Sequence, residues 1–434
     1  MNLPSTQAPE VPIPRPTAAT ERLAVIDVLR GVALLGILTM NITLGQPGAT
    51  RLNPLISGGF EGANFAMWVA GYFLFDEKMI TLFSMLFGAG VVLFCRRLDR
   101  QGVSAARLFY RRSGILLLIG LVHAYGLWEG DILVTYAICG MLIYPLRRKP
   151  ARTLAVAGVL VWLVSVPLTV GFGIALRELR NNHSEQSAEL AKAFQPDAAE
   201  ARKEIERVRR SGYLALAAAR APEALQVQTR LLFLSLLWTV SGRMLLGMAL
   251  FKAGFMAGTK ARGFYRKTAW LGYGAGWPLV AFACVGLIRH SFDPAYLFGI
   301  AFPVNSAGSI LVGIGHASVV ILLCQSGWVQ GWMRRLQAVG RMALTNYLAQ
   351  TLITTTLFYG YGFGLFGAFS RVQLYLIVFA IWGLQLWYSP LWLSRFRFGP
   401  AEWLWRSITY GQAQKLVLRP VGALPQAVGP ADAA

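Results

Sequence analysis

Residues 23–44 read LAVIDVLRGVALLGILTMNITL, an apolar stretch long enough to cross a bilayer as one helix. The stretch nevertheless contains Asp27, Arg30 and Asn41. An ionisable side chain near the bilayer centre costs roughly 2.5 kcal/mol or more, so such a residue is usually buried in a bundle, paired, or used on a substrate. The stretch therefore predicts a membrane protein that is more than a hydrophobic scaffold.

The composition of the whole chain agrees with this class. Of 434 residues, 55% are hydrophobic and 14% are charged, which is typical of polytopic membrane proteins. Besides ten long apolar runs, the chain has a short one at 62–75, which is interpreted as a re-entrant or interfacial helix, or as an eleventh span. The sequence predicts an all-α, polytopic integral membrane bundle of about ten transmembrane helices, or eleven. The ten long apolar runs lie at about 23–44, 79–95, 113–128, 131–146, 153–176, 231–256, 268–288, 306–325, 342–360 and 372–393.

The net charge of +21 is explained by topology. With an inward N-terminus and ten spans, 24 lysines and arginines lie in the cytoplasmic segments and four lie in the short loops on the opposite side, with the long polar stretch 177–230 left out of the count. This asymmetry is the positive-inside rule, so nucleic acid is not an expected partner and membrane lipids are. Residues 1–20 contain no short apolar core followed by a cleavage site, so the first span is expected to stay attached.

The chain divides into two hydrophobic blocks, 23–176 and 231–393, separated by a polar insert at 177–230. The insert is expected to be extracytoplasmic and helical, either as a solvated loop or as a lid over an outward-facing site. Residues 1–22 form a flexible cytoplasmic N-terminus. Residues 394–434, which mix Arg with Trp and Tyr before a Pro- and Ala-rich end, form a cytoplasmic tail at the membrane interface.

The four cysteines argue against a metal centre or a disulfide framework. They are far apart, lie within or at the ends of spans, and form no CxxC pair. We expect small core residues at these positions and no bound metal.

His123 lies near the outer end of a predicted span, in LVHAYGLWEGDILVTYAICG (121–140), just before a hairpin that contains Glu129 and Asp131. A histidine beside a carboxylate in a low-dielectric site can take a proton from a hydroxyl group. The structural alternative is an interhelical hydrogen bond that fixes the hairpin. The sequence leaves both interpretations open.

Arg30 and Arg243 are the other intramembrane candidates, Arg243 lying in WTVSGRMLLGMALF at 238–251. A guanidinium group is always charged and presents a fork of donors that suits phosphate or carboxylate. Alternatively, Arg30 pairs with Asp27, and Arg243 holds carbonyl groups or another acid.

A polar segment, GRMALTNYLAQT at 340–351, lies at the start of the ninth predicted span. Asn346 and Gln350 are four residues apart and share a helix face, which indicates interhelical contacts or a lined cavity. Arg341 is either an ordinary positive-inside anchor or part of a site.

Five motifs in order resemble the bacterial domain-of-unknown-function 418 membrane family, and the resemblance covers most of 22–411. That family is similar to the transmembrane acyltransferase superfamily, which includes acyltransferase family 3 and the heparan-glucosaminide acetyltransferases. The resemblance implies about ten spans, an inward N-terminus, a bacterial inner-membrane location, and acyl transfer from cytoplasmic acyl-CoA to an acceptor. The motifs are RLAVIDVLRGVALLGILTMNI, KMITLFSMLFGAG, LVHAYGLWEGDILVTYAICG, GRMALTNYLAQT and FGPAEWLWRSITYG.

The chain departs from acyltransferase family 3 at one decisive position. That family has an Arg followed, after ten residues, by a catalytic His. Here Arg30 matches the Arg, and Asn41 stands at the His position. An amide cannot take a proton at physiological pH, so the base must lie elsewhere. The heparan-type branch also has Asn there, and His123 with Asp131 is the best replacement.

The resulting hypothesis assigns a role to each candidate. Arg30 and Arg341 would hold the phosphates of an acyl-CoA co-substrate. His123 would deprotonate a hydroxyl of an extracytoplasmic acceptor, and Asn41 would help bind the acyl oxyanion. Arg243 and Asn346 complete the expected acyl-CoA site.

Two other classes compete with the acyltransferase. A small-molecule transporter would use the same intramembrane charges, and an internal repeat with matched broken helices would favour it. A structural or signalling protein explains the hydrophobicity but leaves the polar motifs without a role. The acceptor, the acyl chain length and the existence of a homo-oligomer stay open.

Overall fold

The computed structural model describes residues 23–182 and 194–418, which form a bundle of α-helices with no β-strand among them. The all-α prediction is therefore confirmed. The longer helices, numbered in chain order, are α1 (Ala24–Asn41), α2 (Gly62–Leu74), α3 (Lys78–Arg100), α4 (Ala105–Gly126), α5 (Leu133–Ile143), α6 (Ala151–Asn181), α7 (Ala198–Arg210), α8 (Tyr213–Gln226), α9 (Leu237–Lys252), α10 (Arg262–Arg289), α11 (Phe302–Ser326), α12 (Gln330–Arg341), α13 (Ala343–Phe358), α14 (Arg371–Arg395) and α15 (Pro400–Tyr410).

Seven helical segments of the described chain are long and apolar enough to cross a membrane. The chain is thus a polytopic helical membrane protein, although the predicted count of ten or eleven spans is not confirmed. Three other predicted spans are helical but differ from these seven: α5 and α13 have 11 and 16 residues, and α4 carries three arginines before residue 113. The seven segments are Ala24–Gly45, Gly62–Arg100, Ala151–Asn181, Tyr213–Lys252, Arg262–Arg289, Pro294–Ser326 and Arg371–Arg395.

Glycines set the close approach of α3 and α9 at the centre of the largest apolar cluster. A Cβ atom on Gly88 would lie 1.9 Å from the carbonyl oxygen of Met244, and one on Gly247 would lie 1.9 Å from that of Met85. Both methionines are fully buried. The two backbones therefore touch, as small residues allow in membrane helix packing.

The polar insert packs back onto the bundle through α7 and α8. The backbone N–H of Gly360 donates to the carbonyl of Val208 at 3.1 Å, and Arg209 donates from Nε to the carbonyl of Phe366 at 2.6 Å. Residues 183–193, which belong to the predicted insert, lie outside the described residues. The described part of the insert covers the connection between α13 and α14.

The C-terminal helix α15 is built into the bundle beside the start of α13. Glu402 accepts hydrogen bonds from the backbone N–H of Leu344 at 2.6 Å and of Thr345 at 3.1 Å, and from the Thr345 hydroxyl at 2.5 Å. A carboxylate at this position satisfies orphan donors at a helix N-terminus. Leu404 and Ile408 are exposed, so one face of α15 stays apolar and outward, as a segment at the membrane interface requires.

Gly88 and Gly90 offer a matched test of the α3–α9 contact. Gly88→Ala should lower stability by about 1–3 kcal/mol, because the new methyl group overlaps a backbone carbonyl. Gly90→Ala adds the same methyl group where no heavy atom lies within 4 Å, and it should leave stability unchanged or slightly raised. The melting temperature of each variant in mild detergent checks this; equal losses in both would contradict the proposed contact.

Candidate functional site

The side chains of Asp131, His123 and Thr351 form a continuous hydrogen-bonded chain inside the bundle. The Oδ2 atom of Asp131 lies 2.7 Å from Nδ1 of His123, and Nε2 of His123 lies 3.0 Å from the hydroxyl oxygen of Thr351. The carboxylate and imidazole side chains are each 1% exposed. Because a carboxylate accepts the Nδ1 proton, Nε2 is the ring atom that can receive a proton from a hydroxyl group.

The turn between α4 and α5 positions this pair. The backbone N–H groups of Leu127 and Trp128 both donate to the carbonyl of His123, at 2.8 and 2.9 Å. The second oxygen of Asp131 accepts the N–H of Val134 at 2.8 Å, at the start of α5. One carboxylate thus closes the turn and orients the imidazole.

Thr351 was not among the predicted site residues. It lies on α13, one turn beyond Tyr347, whose ring centre is 5.1 Å from that of His123. The signal was present in the sequence, since Thr351 ends the GRMALTNYLAQT motif. A hydroxyl group in a span is so often a packing residue that spacing alone does not distinguish it.

Arg220 of the polar insert lies over the turn of the α4–α5 hairpin. Its guanidinium donates to the carbonyl of Gly126 at 2.9 Å and lies 3.8 Å from the carboxylate of Glu129. Arg220 is only 4% exposed although it belongs to the polar insert. The insert therefore covers the hairpin that carries His123.

A second group, the arginine cluster, consists of Arg30, Arg112, Arg341 and Arg406. Arg30 donates to Asp27 at 2.8 Å, and Arg341 also interacts electrostatically with Asp27. Arg112 interacts with both Arg30 and Arg406. The guanidinium of Arg112 stacks 3.7 Å from the ring centre of Trp405, whose indole N–H donates to the carbonyl of Arg112.

The arginine cluster carries more positive charge than its acids balance. Asp27 and Glu402 interact with it, but Glu402 is already committed to the N-terminus of α13. Burial lowers the pKa of Arg406 and of Arg341, which reflects the cost of holding a guanidinium away from water. The same burial raises the pKa of Glu402, partly offset by its hydrogen bonds to Thr345. An anionic ligand would relieve this excess of charge.

Packed apolar side chains separate the arginine cluster from His123. One buried cluster includes Leu34 of α1, Leu116 of α4 and Leu344 of α13. Leu34 lies between Arg30 and Asn41 on α1, and Leu116 lies between Arg112 and His123 on α4. Leu344 lies in the first turn of α13, seven residues before Thr351. The two groups are about 16 Å apart along α4, at 1.5 Å per residue. The predicted donor and base residues therefore do not share one set of contacts in this structure.

Arg243 belongs to a third polar group. It donates to Glu77 at 2.5 Å and to the hydroxyl of Ser306 at 2.9 Å. Beside it, the buried ammonium of Lys78 donates to the carbonyl of Tyr72 and to Oδ1 of Asn305, at 2.7 and 2.9 Å. This group lies at the break between α2 and α3, where Glu77 has φ of 59°. No hydrogen bond or ion pair in the described part of the chain joins it to the arginine cluster.

Asn346 and Gln350 join α13 to α14. The amide of Asn346 donates to the hydroxyl of Ser389 at 3.2 Å, and the Tyr388 hydroxyl donates to its oxygen. Gln350 donates to Gln385 at 2.9 Å. The Asn346 side chain is thus engaged in interhelical bonds. Asn41 is half-buried at the end of α1 and makes no side-chain hydrogen bond to another described residue.

The residues that the structure describes contain no group of three or more His, Cys, Asp or Glu that could hold a metal ion. Cys95, Cys139, Cys284 and Cys324 are all free thiols. The three polar groups present carboxylate, imidazole, hydroxyl, guanidinium, ammonium and amide side chains.

Comparison with known proteins identifies relatives along nearly the whole chain. Residues 250–412 match the model of a family described as "Protein of unknown function (DUF418)". The Uncharacterized protein YeiB of Escherichia coli K12 is 32% identical over 405 residues, which cover 90% of this chain and 96% of the relative. The Uncharacterized protein YxaH of Bacillus subtilis 168 is 31% identical over 91% of this chain and 96% of its own length.

A third relative, an uncharacterized 39.9 kDa protein of Bacillus acidopullulyticus, is 26% identical over 93% of this chain and 98% of its own length. No solved structure matches the chain. Identity above 30% over nine-tenths of the chain, together with the family model, establishes the assignment: this chain belongs to the DUF418 family of membrane proteins.

Proposed function

We propose that the protein is a membrane-bound acyltransferase that moves an acyl group from cytoplasmic acyl-CoA to a hydroxyl or amine of an extracytoplasmic acceptor. The observation that carries the proposal is the buried Asp131–His123 pair, whose Nε2 atom faces a hydroxyl group at 3.0 Å. This is the arrangement of a general base for acyl transfer. The placement in the transmembrane acyltransferase superfamily belongs to the same proposal.

The proposed topology has ten spans, with both termini in the cytoplasm of a bacterial inner membrane. The spans are α1, α3, α4, α5 with its short extension, α6, α9, α10, α11, α13 and α14. The charge asymmetry between loops supports this topology. It places the arginine cluster at the cytoplasmic side and His123 toward the outer side.

The arginine cluster is the proposed site for the phosphates of the donor. Arg30 and Arg341 were expected there, and the electrostatic contacts of Arg112 and Arg406 extend the set. Four guanidinium groups facing two acids favour a polyanion, because Arg binds phosphate through charge-assisted and often bidentate hydrogen bonds. The proposal does not use Asn346 or Arg243 for the donor, since their side chains are bonded to neighbouring helices.

The apolar layer around Leu34, Leu116 and Leu344 restricts which part of the acyl-CoA donor can reach His123. Phosphates cannot cross packed leucine side chains without a large desolvation cost. The uncharged pantetheine arm and the acyl chain of the donor are the parts suited to that path. Asn41, at the outer end of α1, is proposed to hold the acyl oxygen.

Transport of a small molecule is the second candidate. The break between α2 and α3 favours it, because discontinuous helices with buried charges form substrate and ion sites in many transporters. Lys78, Glu77 and Arg243 meet at that break. Since Arg243 pairs with Glu77 and Lys78 interacts electrostatically with Asp76, the charges of this group balance, and the acyltransferase is preferred.

Arg30→Ala should weaken acyl-CoA binding to the purified protein about tenfold or more, since a hydrogen bond to a charged group contributes roughly 1.5–3 kcal/mol. Arg406→Ala should act in the same direction without leaving Asp27 unpaired. Arg152→Ala, an exposed charge on α6, is the matched control and should bind as wild type. Isothermal titration with acetyl-CoA and longer acyl-CoAs checks this. If folded wild type binds none at millimolar concentration, transport becomes the preferred function.

His123→Ala should keep acyl-CoA binding within about twofold while acyl transfer falls about 100-fold or more, the usual range for loss of a general base. Asp131→Asn should also lose activity because the imidazole tautomer is no longer fixed. CoA release in the presence of glycerol and a panel of monosaccharides is the measurement. His290→Ala, at an exposed histidine, is the control. Unchanged turnover in His123→Ala would remove the base from the proposal.

A further inference from the structure

Two threonines one turn apart on α13 differ in the partners of their hydroxyl groups. The hydroxyl of Thr354 lies 2.8 Å from the carbonyl oxygen of Gln350, four residues earlier, which is the usual partner of a threonine in a helix. The hydroxyl of Thr351 lies 3.5 Å from the corresponding carbonyl of Tyr347 and 3.0 Å from Nε2 of His123. The Thr351 hydroxyl oxygen is therefore closer to the imidazole than to the carbonyl of its own helix.

The direction of this hydrogen bond follows from the other end of the chain of contacts. Asp131 accepts the Nδ1 proton of His123 at 2.7 Å, so the neutral imidazole has a lone pair at Nε2. The proton between Nε2 and Thr351 is then the hydroxyl proton. A carboxylate, an imidazole and a hydroxyl in this order are the components that activate a hydroxyl nucleophile.

The apolar layer makes direct transfer from donor to acceptor difficult. A single-step reaction would need the donor thioester and the acceptor hydroxyl at His123 at the same time. The donor path from the arginine cluster passes Leu116 and Leu344, while the outer side is covered by Arg220 of the insert. A covalent intermediate would let the two paths open one after the other.

We infer that Thr351 is the nucleophile and carries the acyl group as an ester between the two half-reactions. This inference rests on the proposed acyltransferase function. In the first half, Thr351 Oγ1 bonds to the thioester carbonyl carbon and His123 Nε2 takes the hydroxyl proton. The carbon–sulfur bond then breaks, and the CoA thiolate leaves with the proton from His123.

The second half restores the enzyme with the acceptor as its only further reactant. An acceptor hydroxyl attacks the ester carbonyl carbon while His123 takes its proton. The bond to Thr351 Oγ1 breaks, His123 returns the proton to that oxygen, and the acylated acceptor leaves. No electrons are gained or lost in either half.

A purely structural role for Thr351, fixing the ring of His123, predicts different chemistry. In that case no covalent species forms, and removal of the hydroxyl changes only the orientation of the base. The presence of an acyl ester on Thr351 separates the two roles. Neutral hydroxylamine identifies the linkage, because an oxygen ester resists it and a thioester does not.

The test is incubation of the purified full-length protein with radiolabelled acetyl-CoA and no acceptor, followed by acid quench, intact mass measurement and peptide mapping. We expect an acetyl ester on Thr351 in wild type and Thr351→Ser, and none in Thr351→Val. Thr351→Cys should give a label that neutral hydroxylamine removes. Thr354→Val, which removes the neighbouring hydroxyl that bonds to its own helix, should be labelled as wild type.

The outcomes distinguish this inference from the proposed function. Saturable acetyl-CoA binding by wild type with no ester, or with an ester on another residue, overturns the role of Thr351 and leaves the donor site standing. Acyl transfer to acceptors by Thr351→Val at the wild-type rate, with release of CoA, does the same. Absence of acetyl-CoA binding by folded wild type instead defeats the proposed function itself.

Discussion

The hydrogen bond between Asp131 and His123 is the interaction on which the turn between α4 and α5 and its contact with α13 depend. Both side chains are almost fully buried, where an unpaired carboxylate or imidazolium would carry a large desolvation cost. The same carboxylate begins α5 by accepting from Val134, so the turn and the imidazole orientation are fixed together. Nδ1 is thereby committed, and Nε2 is the atom left to meet the hydroxyl of Thr351. The Asp131 carboxylate therefore determines both the local fold of the turn and the proton arrangement of the histidine.

The three polar groups differ in how their charges are balanced, and this difference separates packing from ligand binding. Arg243 has Glu77 as a direct partner, as a buried guanidinium in a membrane bundle requires. His123 has Asp131. The arginine cluster has four guanidinium groups against Asp27 and Glu402, and Glu402 is engaged with the backbone of α13. Positive charge that the fold leaves in excess is a better indication of an anionic ligand than a buried arginine that already has a carboxylate partner.

Sequence analysis predicted the helical class, the pairing of Arg30 with Asp27 as one alternative, and the proximity of His123 to Asp131, because these depend on composition or on residues close in the chain. It did not single out Thr351, Arg220, Arg112 or Arg406. Thr351 is 228 residues from His123, and Arg112 and Arg406 meet only because α15 packs against α4. Such contacts are set by tertiary packing, which one sequence without related sequences does not specify. Arg112 and Arg406 also resembled ordinary cytoplasmic anchors.

The helix α13 connects the two levels of the bundle. The first turn of α13 is held by Glu402 of α15. Helix α15 also carries Trp405 and Arg406, which contact the arginine cluster or belong to it. About 10 Å further along α13 from Leu344, at 1.5 Å per residue, Thr351 meets His123. Any displacement of α15 therefore acts on the N-terminal cap of the helix that positions Thr351. The apolar layer keeps the two levels apart, and α13 reaches both, so the charges of the arginine cluster and the geometry of the buried hydroxyl are joined through a single helix.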